Sequence, residues 1–190
     1  MGAAFTPTRT VVSVKRFQDM VAAGVWRDDE RIELIDGEII DMAPIGGAHA
    51  WGVTRAAELV RARASDRAHV WVQLPIVVSD RSQPQPDLAL IRRRPGGYGK
   101  ALPASEDVLL VVEVSDTTLD YDRGVKMRLY GASGIPEYWI IDLQNERLEV
   151  YRDPGPSGYR SKAEFAGQDE VDLLSLPGMK LRVAEFFAVP

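Results

Sequence analysis

The run Leu109-Leu110-Val111-Val112-Glu113-Val114 constrains the fold more than any other stretch of the chain. A nearly continuous apolar run of strand length reads as a strand buried on both faces, which belongs in the middle of a covered sheet. A helical pattern follows over about 120–132 and stops at Gly134, and a second apolar strand follows over 136–142. Strand, helix and strand in that order predict a parallel pair joined by a right-handed crossover. Glu113 interrupts the apolar run. An unpaired buried carboxylate is expensive, so this residue has to be paired, to lie at the sheet rim or to hold a cation. Ligand sites of open α/β sheets gather at the C-terminal ends of strands, and Glu113 stands near such an end.

The remaining segments fill in around that pair of strands. Ser13 is placed to cap a helix over 14–23, with Phe17, Met20 and Val21 on its apolar face and Gly24 at its stop. Asp36-Gly37 between two β-prone runs predicts a hairpin across 31–42. Ile32, Leu34, Ile39 and Ile40 are expected to face the core, and Glu33 alternates to the other face. Val53, Ala56, Ala57, Val60 and Ala64 recur at helical spacing in a longer helix over 49–64. Short strands are expected at 70–72, 75–78 and 87–91, whereas Gln83-Pro84-Gln85-Pro86 is too rich in proline for a central strand. Residues 147–151 alternate and suit an outer antiparallel strand, with a last strand near 179–183 and a helical turn near 184–187. No repeat or linker divides the 190 residues. The expectation is one α/β (α+β) domain over 1–190, a mixed sheet flanked by helices, with 1–12 as a loose lead-in.

Composition removes several function classes. The chain has no cysteine, so disulfides, thiolate zinc sites and cysteine nucleophiles are excluded. No apolar run approaches the roughly 18 residues of a membrane span, and the N-terminus lacks the basic start and apolar stretch of a signal peptide. A cytoplasmic protein with no membrane partner is expected. A net charge of −5 argues against a tight non-specific nucleic-acid binder, which has to displace counterions from phosphates. It leaves room for an enzyme with a bound cation and local basic patches, for which Arg92-Arg93-Arg94 with Lys100, and Arg61, Arg63 and Arg67, are the candidates. There is no phosphate-binding P-loop, no dinucleotide fingerprint after a strand and no nucleophile elbow.

Asp87 follows Pro86 at the start of a strand and is the natural partner of Glu113. Two carboxylates from neighbouring strands supply the oxygen ligands that a hard divalent cation prefers. Lys126 lies on the helix after Glu113, among Val125, Met127, Leu129 and Tyr130. A lysine there can stabilise negative charge developing on a phosphate. Glu33 is a candidate third carboxylate, although an acid on a hairpin is more often solvated. His49 opens the long helix, where a histidine is more often a cap or surface residue than a catalytic group. His69 has no partner by spacing, and with 2 histidines in the chain no histidine-built metal cluster is available.

Several segments occur in one order: Glu33-Leu34-Ile35-Asp36-Gly37-Glu38, His49, Gln85-Pro86-Asp87, Val112-Glu113-Val114-Ser115, Asp122-Arg123-Gly124-Val125-Lys126 and Gly134-Ile135-Pro136-Glu137-Tyr138-Trp139-Ile140-Ile141-Asp142. Together they resemble the Uma family of restriction-endonuclease-like proteins, part of the PD-(D/E)XK nuclease superfamily, across about 15–188. The resemblance implies a restriction-endonuclease-like core and metal-dependent hydrolysis of phosphodiester bonds in DNA. It implies magnesium or manganese held by Asp87, Glu113 and the backbone carbonyl of Val114, with Lys126 as the lysine of the site. Glu33 would anchor a second ion or a water, and His49 and Ser115 are possible accessory groups. Ser115 stands two residues beyond Glu113, where the superfamily pattern has lysine, so the lysine is expected from the following helix instead. Asp116 stands where many relatives carry proline. Two other readings stay open: the same fold kept as a non-catalytic binding or assembly module, and a hydrolase of a small phosphorylated molecule. A homodimer through Tyr138, Trp139 and the strand at 148–151 is also an expectation.

Overall fold

The computed structural model describes residues 9–64 and 66–188; residues 1–8 of the expected lead-in lie outside the described residues. Ser13 caps α1 (Val14–Ala22), its hydroxyl accepting a hydrogen bond from the Arg16 amide at 3.3 Å. Val14 and Phe17 are the buried residues of this helix and Val21 is exposed. The apolar face is therefore rotated from the expected one, because Val14 at the first helical position takes the inward place. The hairpin of β1 (Ile32–Ile35) and β2 (Glu38–Asp41) turns at Asp36 and Gly37, whose φ values of 50° and 82° suit a tight two-residue turn. Its register pairs Leu34 with Ile39 and Glu33 with Ile40. Side chains alternate along a strand, so Ile39 and Ile40 do not share a face as the sequence suggested. Leu34 and Ile39 pack with Phe17 of α1, while Ile40 joins Ile35 over the main sheet.

The chain continues through α2 (Gly47–Ala64), β3 (Ala68–Val72), β4 (Leu88–Arg92) and β5 (Val108–Ser115). All residues of β5 are buried. A helical stretch follows: α3 (Leu119–Tyr121), a π-helical turn (Asp122–Lys126) and α4 (Met127–Ala132). Then come β6 (Glu137–Asp142), β7 (Arg147–Gly155), β8 (Gly158–Ala166), β9 (Glu170–Asp172), β10 (Lys180–Arg182) and α5 (Ala184–Phe187). One six-stranded mixed sheet runs in the order β3-β4-β5-β6-β7-β8. The β5–β6 pair is parallel, across the helical crossover that the sequence predicts, and its neighbours are antiparallel.

Both faces of the sheet are covered. On one face α2, β9, β10 and α5 enclose a core that includes Val112, Val114, Trp139 and Ile141. On the other, α4 and the segment around Ile76 enclose Ala89, Val111, Tyr130, Tyr138 and Ile140. Tyr138 and Trp139 are thus fully buried on opposite faces and form no exposed patch for a dimer. Residues 75–78 make only the isolated bridge from Val77 to Ala104 and not a strand; Pro75 has no N–H to offer a ladder. β7 is not the outer strand either, because β8 pairs along it. β8 escapes a reading of apolar pattern because its exposed residues include Arg160, Lys162 and Glu164, the kind of charged edge that resists further pairing. No described helix is long and apolar enough to cross a membrane.

α4 reaches β8 through a contact between two glycines. A Cβ on Gly131 would meet the Gly158 backbone carbonyl carbon at 2.4 Å, closer than any real contact. Gly131→Ala should therefore cost about 1–3 kcal/mol through overpacking. Gly124→Ala, whose new methyl would meet nothing within 4 Å, should be neutral or stabilising by up to about 1 kcal/mol. Urea unfolding of both variants checks the contrast; equal effects would mean that α4 does not dock on β8 through Gly131.

Candidate active site

Asp87 and Glu113 hold each other across neighbouring strands. Leu88 pairs with Val112 in the antiparallel β4–β5 ladder, which sets Asp87 beside Glu113 one step further on. The Asp87 amide donates to Glu113 Oε2 at 3.0 Å, and the Val114 amide donates to Asp87 Oδ2 at 2.9 Å. Each carboxylate thus ties its own strand to the backbone of the other. Both side chains are buried, at 7% and 5% residual exposure, which is possible only because their oxygens are hydrogen-bonded. His49, near the start of α2, places Nε2 at 3.0 Å from Asp87 Oδ2, and Gln73 Nε2 lies 3.4 Å from Asp87 Oδ1.

The helical crossover brings the lysine. Within the π-helical turn the Met127 amide bonds to the Asp122 carbonyl, five residues back. Asp122, Lys126 and Tyr130, spaced four apart, then point to the sheet together. Lys126 Nζ sits 2.5 Å from Glu33 Oε2 and 3.5 Å from Glu113 Oε1. Tyr130 OH donates to Glu113 Oε1 at 2.7 Å. Glu33 also accepts from the Gln85 amide and from Tyr121 OH, each at 3.3 Å. Glu33 is thus buried in the site and not solvated. Ser115 shares the sheet face of Glu113 two residues on, and its hydroxyl donates to Asp122 Oδ2 at 2.6 Å, where Thr118 also donates at 2.7 Å. Asp116 lines the rim of the cleft.

These groups open onto a cleft of about 270 Å³ between the hairpin, α2 and α3. Its floor carries the carboxylates of Glu33, Asp87, Glu113 and Asp122 against Lys126 and His49. Burial pushes the Glu113 carboxyl up to about 8; the Lys126 charge pulls against that and Asp87 adds to it. Burial also raises Asp122, against its hydrogen bonds from Ser115 and Thr118. Burial would lower Lys126, but the Glu113 and Glu33 carboxylates outweigh it and hold the ammonium protonated. The hydrogen bond to Asp87 raises His49, against its own burial. Among the described residues no group of three or more histidine, aspartate or glutamate side chains forms a ready-made metal cage. The donor chemistry nevertheless fits magnesium or manganese: acid oxygens outnumber cations, and Mg²⁺ takes one or two carboxylates while keeping several waters. His49 Nδ1 is buried in the cleft wall without a hydrogen-bond partner among the described residues.

Of the candidate site residues, Glu33, His49, Asp87, Glu113 and Lys126 line this cleft, and Val114 and Ser115 join it through Asp87 and Asp122; His69 lies elsewhere, on β3. Asp122, Tyr121 and Tyr130 carry roles that the sequence reading did not assign. The signal for Asp122 and Tyr130 was available in the four-residue spacing Asp122–Lys126–Tyr130, which puts three polar groups on one helical face; Tyr121 lies outside that spacing.

No curated protein matches the chain. The fold resembles a crystal structure described as that of a putative nuclease belonging to DUF820 from Anabaena variabilis ATCC 29413, with a TM-score of 0.67 over 93% of this chain and 97% of that one, at 15% identity. A likeness at that identity concerns the fold. The family model named Uma2, described as "Putative restriction endonuclease", matches residues 16–184. That match spans nearly the whole sheet and every residue of the cleft, and the chain belongs to the Uma2 family.

Proposed function

We propose that the protein is a magnesium- or manganese-dependent endonuclease that hydrolyses phosphodiester bonds in DNA. The observation that carries this reading is the convergence of Asp87, Glu113 and Lys126 on one cleft. Asp87, Glu113 and the Val114 carbonyl would hold the ion. A bound divalent ion supplies a low-pKa water and polarises the phosphoryl oxygen. Glu113, tied to Tyr130 and to the Asp87 amide, presents an oriented oxygen whose burial makes a nearby cation favourable. Lys126 keeps its proton through its two carboxylate neighbours, so it is an electrostatic partner for the charge that develops on the phosphate and not a base. Glu33 positions Lys126 and is shared with Tyr121. Ser115 acts through Asp122 and not on substrate. The nuclease-like family and fold neighbour support the same reaction class.

One feature favours a second reading. Lys126, Glu33, Asp87 and Glu113 satisfy one another almost completely, as a purely structural cluster in a non-catalytic binding module would.

Two measurements separate the readings. With magnesium or manganese, wild type should cleave single- or double-stranded DNA, Asp87→Ala and Glu113→Ala should fall to background, and Lys126→Met should lose about 10²–10³-fold in kcat. Activity in the two alanine variants equal to wild type would sink the assignment. Lys126→Met should also be less stable, by about 3–5 kcal/mol, because it leaves buried carboxylates uncompensated; circular dichroism must confirm that it is folded. Separately, manganese at 100 times its Kd should stabilise the wild type by about 2.7 kcal/mol in thermal melts. Asp87→Asn should abolish that shift. An unchanged melting curve of the wild type in manganese would favour the non-catalytic module.

A further inference from the structure

The arginines of this acidic chain are not evenly neutralised. Arg55, Arg63 and Arg94 are paired with Glu58, Glu185 and Asp107. Arg67, Arg92 and Arg93 instead donate to the backbone carbonyls of Pro177, Glu106 and Asp66. These three and Arg61 have no carboxylate at ion-pair distance among the described residues. Arg61 and Arg93 flank a groove of about 650 Å³ along the outer edge of β3. β3 ends the sheet, so that edge has no partner strand.

The groove is aromatic as well as basic. His69 and Trp71 point from β3 toward Tyr98 with ring centroids 6.5 and 6.0 Å from it. Arg94 stacks on Tyr98 at 3.8 Å. All three residues are half-buried and line the groove. Gly99 lines the same groove, and a Cβ there would meet nothing within 4 Å. The fold does not require a glycine at this position, and its absence of side chain leaves the approach clear.

β3 leads from the groove toward the cleft. Gln73, the residue after its end, touches Asp87 and lies about 13 Å beyond His69 at the usual rise of a strand. Uncompensated arginines beside aromatic rings are the pattern by which proteins hold single-stranded nucleic acid, phosphates on the cations and bases on the rings. A duplex keeps its bases stacked and cannot use the rings. An acidic peptide could use the arginines but has no base for the rings.

We propose that this groove binds a single-stranded flank of a nucleic acid, with Arg61 and Arg93 on its phosphates and His69, Trp71 and Tyr98 against its bases. As a path for substrate, it rests on the nuclease reading above. The test is fluorescence anisotropy of a labelled thymidine 20-mer with EDTA present, so that binding is read without cleavage. Arg61→Ala should weaken binding several-fold and reduce the slope of log affinity against log salt by about 0.7, the value for one phosphate contact on a single strand. Gly99→Glu should weaken it at least ~10-fold. Both variants should keep the wild-type melting temperature. The proposal is overturned if Arg61→Ala and Gly99→Glu bind like wild type, or if a duplex of the same length or a glutamate-rich peptide competes better than the single strand. Loss of binding in the groove variants beside a wild type that cleaves nothing would keep the groove and remove the catalytic reading. Cleavage with unaltered binding in those variants would do the reverse.

Discussion

The structure depends on two carboxylates buried where a sheet of this kind would ordinarily bury valines. Asp87 and Glu113 each accept an amide hydrogen bond from the opposite strand or its end. Leaving either group unpaired in the interior would cost several times the net contribution of an ordinary hydrogen bond. The β4–β5 junction is thereby fixed in register, since a slip of one residue would turn both side chains to the opposite face. Everything else at the site is arranged around that pair. Tyr130 satisfies the remaining Glu113 oxygen, Lys126 balances its charge, and Glu33 fixes Lys126. Four carboxyl groups, of Glu33, Asp87, Glu113 and Asp122, thus meet Lys126 and His49 at the floor of the cleft.

The same arrangement explains how much was legible in the sequence. Glu113 announced itself because an acid inside an apolar run is costly, and cost of that size leaves few alternatives. The parallel β5–β6 pair followed from two apolar runs around a helix, and α2 from its alanine and valine spacing. Other features lacked such a marker. β8 has charged residues along an edge, so neither its existence nor the interior position of β7 could be read from apolar alternation. Tyr138 and Trp139 looked like an interface stripe because burial by layers on both faces is a tertiary fact. Glu33 looked solvated because a hairpin alone does not reveal that a helix from 88 residues later in the chain, through Tyr121, closes over it. The π-helical turn has no simple residue signature, yet it decides where Lys126 points.

The placement of the lysine has a structural consequence. In the pattern that the chain resembles, the lysine stands on the same strand as the acid, two residues on, so strand geometry alone sets their separation. Here Ser115 takes that place and its hydroxyl turns to Asp122. The lysine arrives on a separate element, and its distance from Glu113 depends on how that helix docks. Four contacts fix the docking. Ser115 and Thr118 hold the Asp122 side chain, Tyr138 OH donates to the Asp122 carbonyl at 3.2 Å, and Gly131 packs directly on Gly158. The Tyr138 bond reaches the same carbonyl that accepts the five-residue hydrogen bond of the π-helical turn. Ser115 is therefore part of the support that holds Lys126 of the crossover helix beside Glu113, and the irregular turn is the local adjustment that brings Asp122, Lys126 and Tyr130 onto one line above the carboxylate pair.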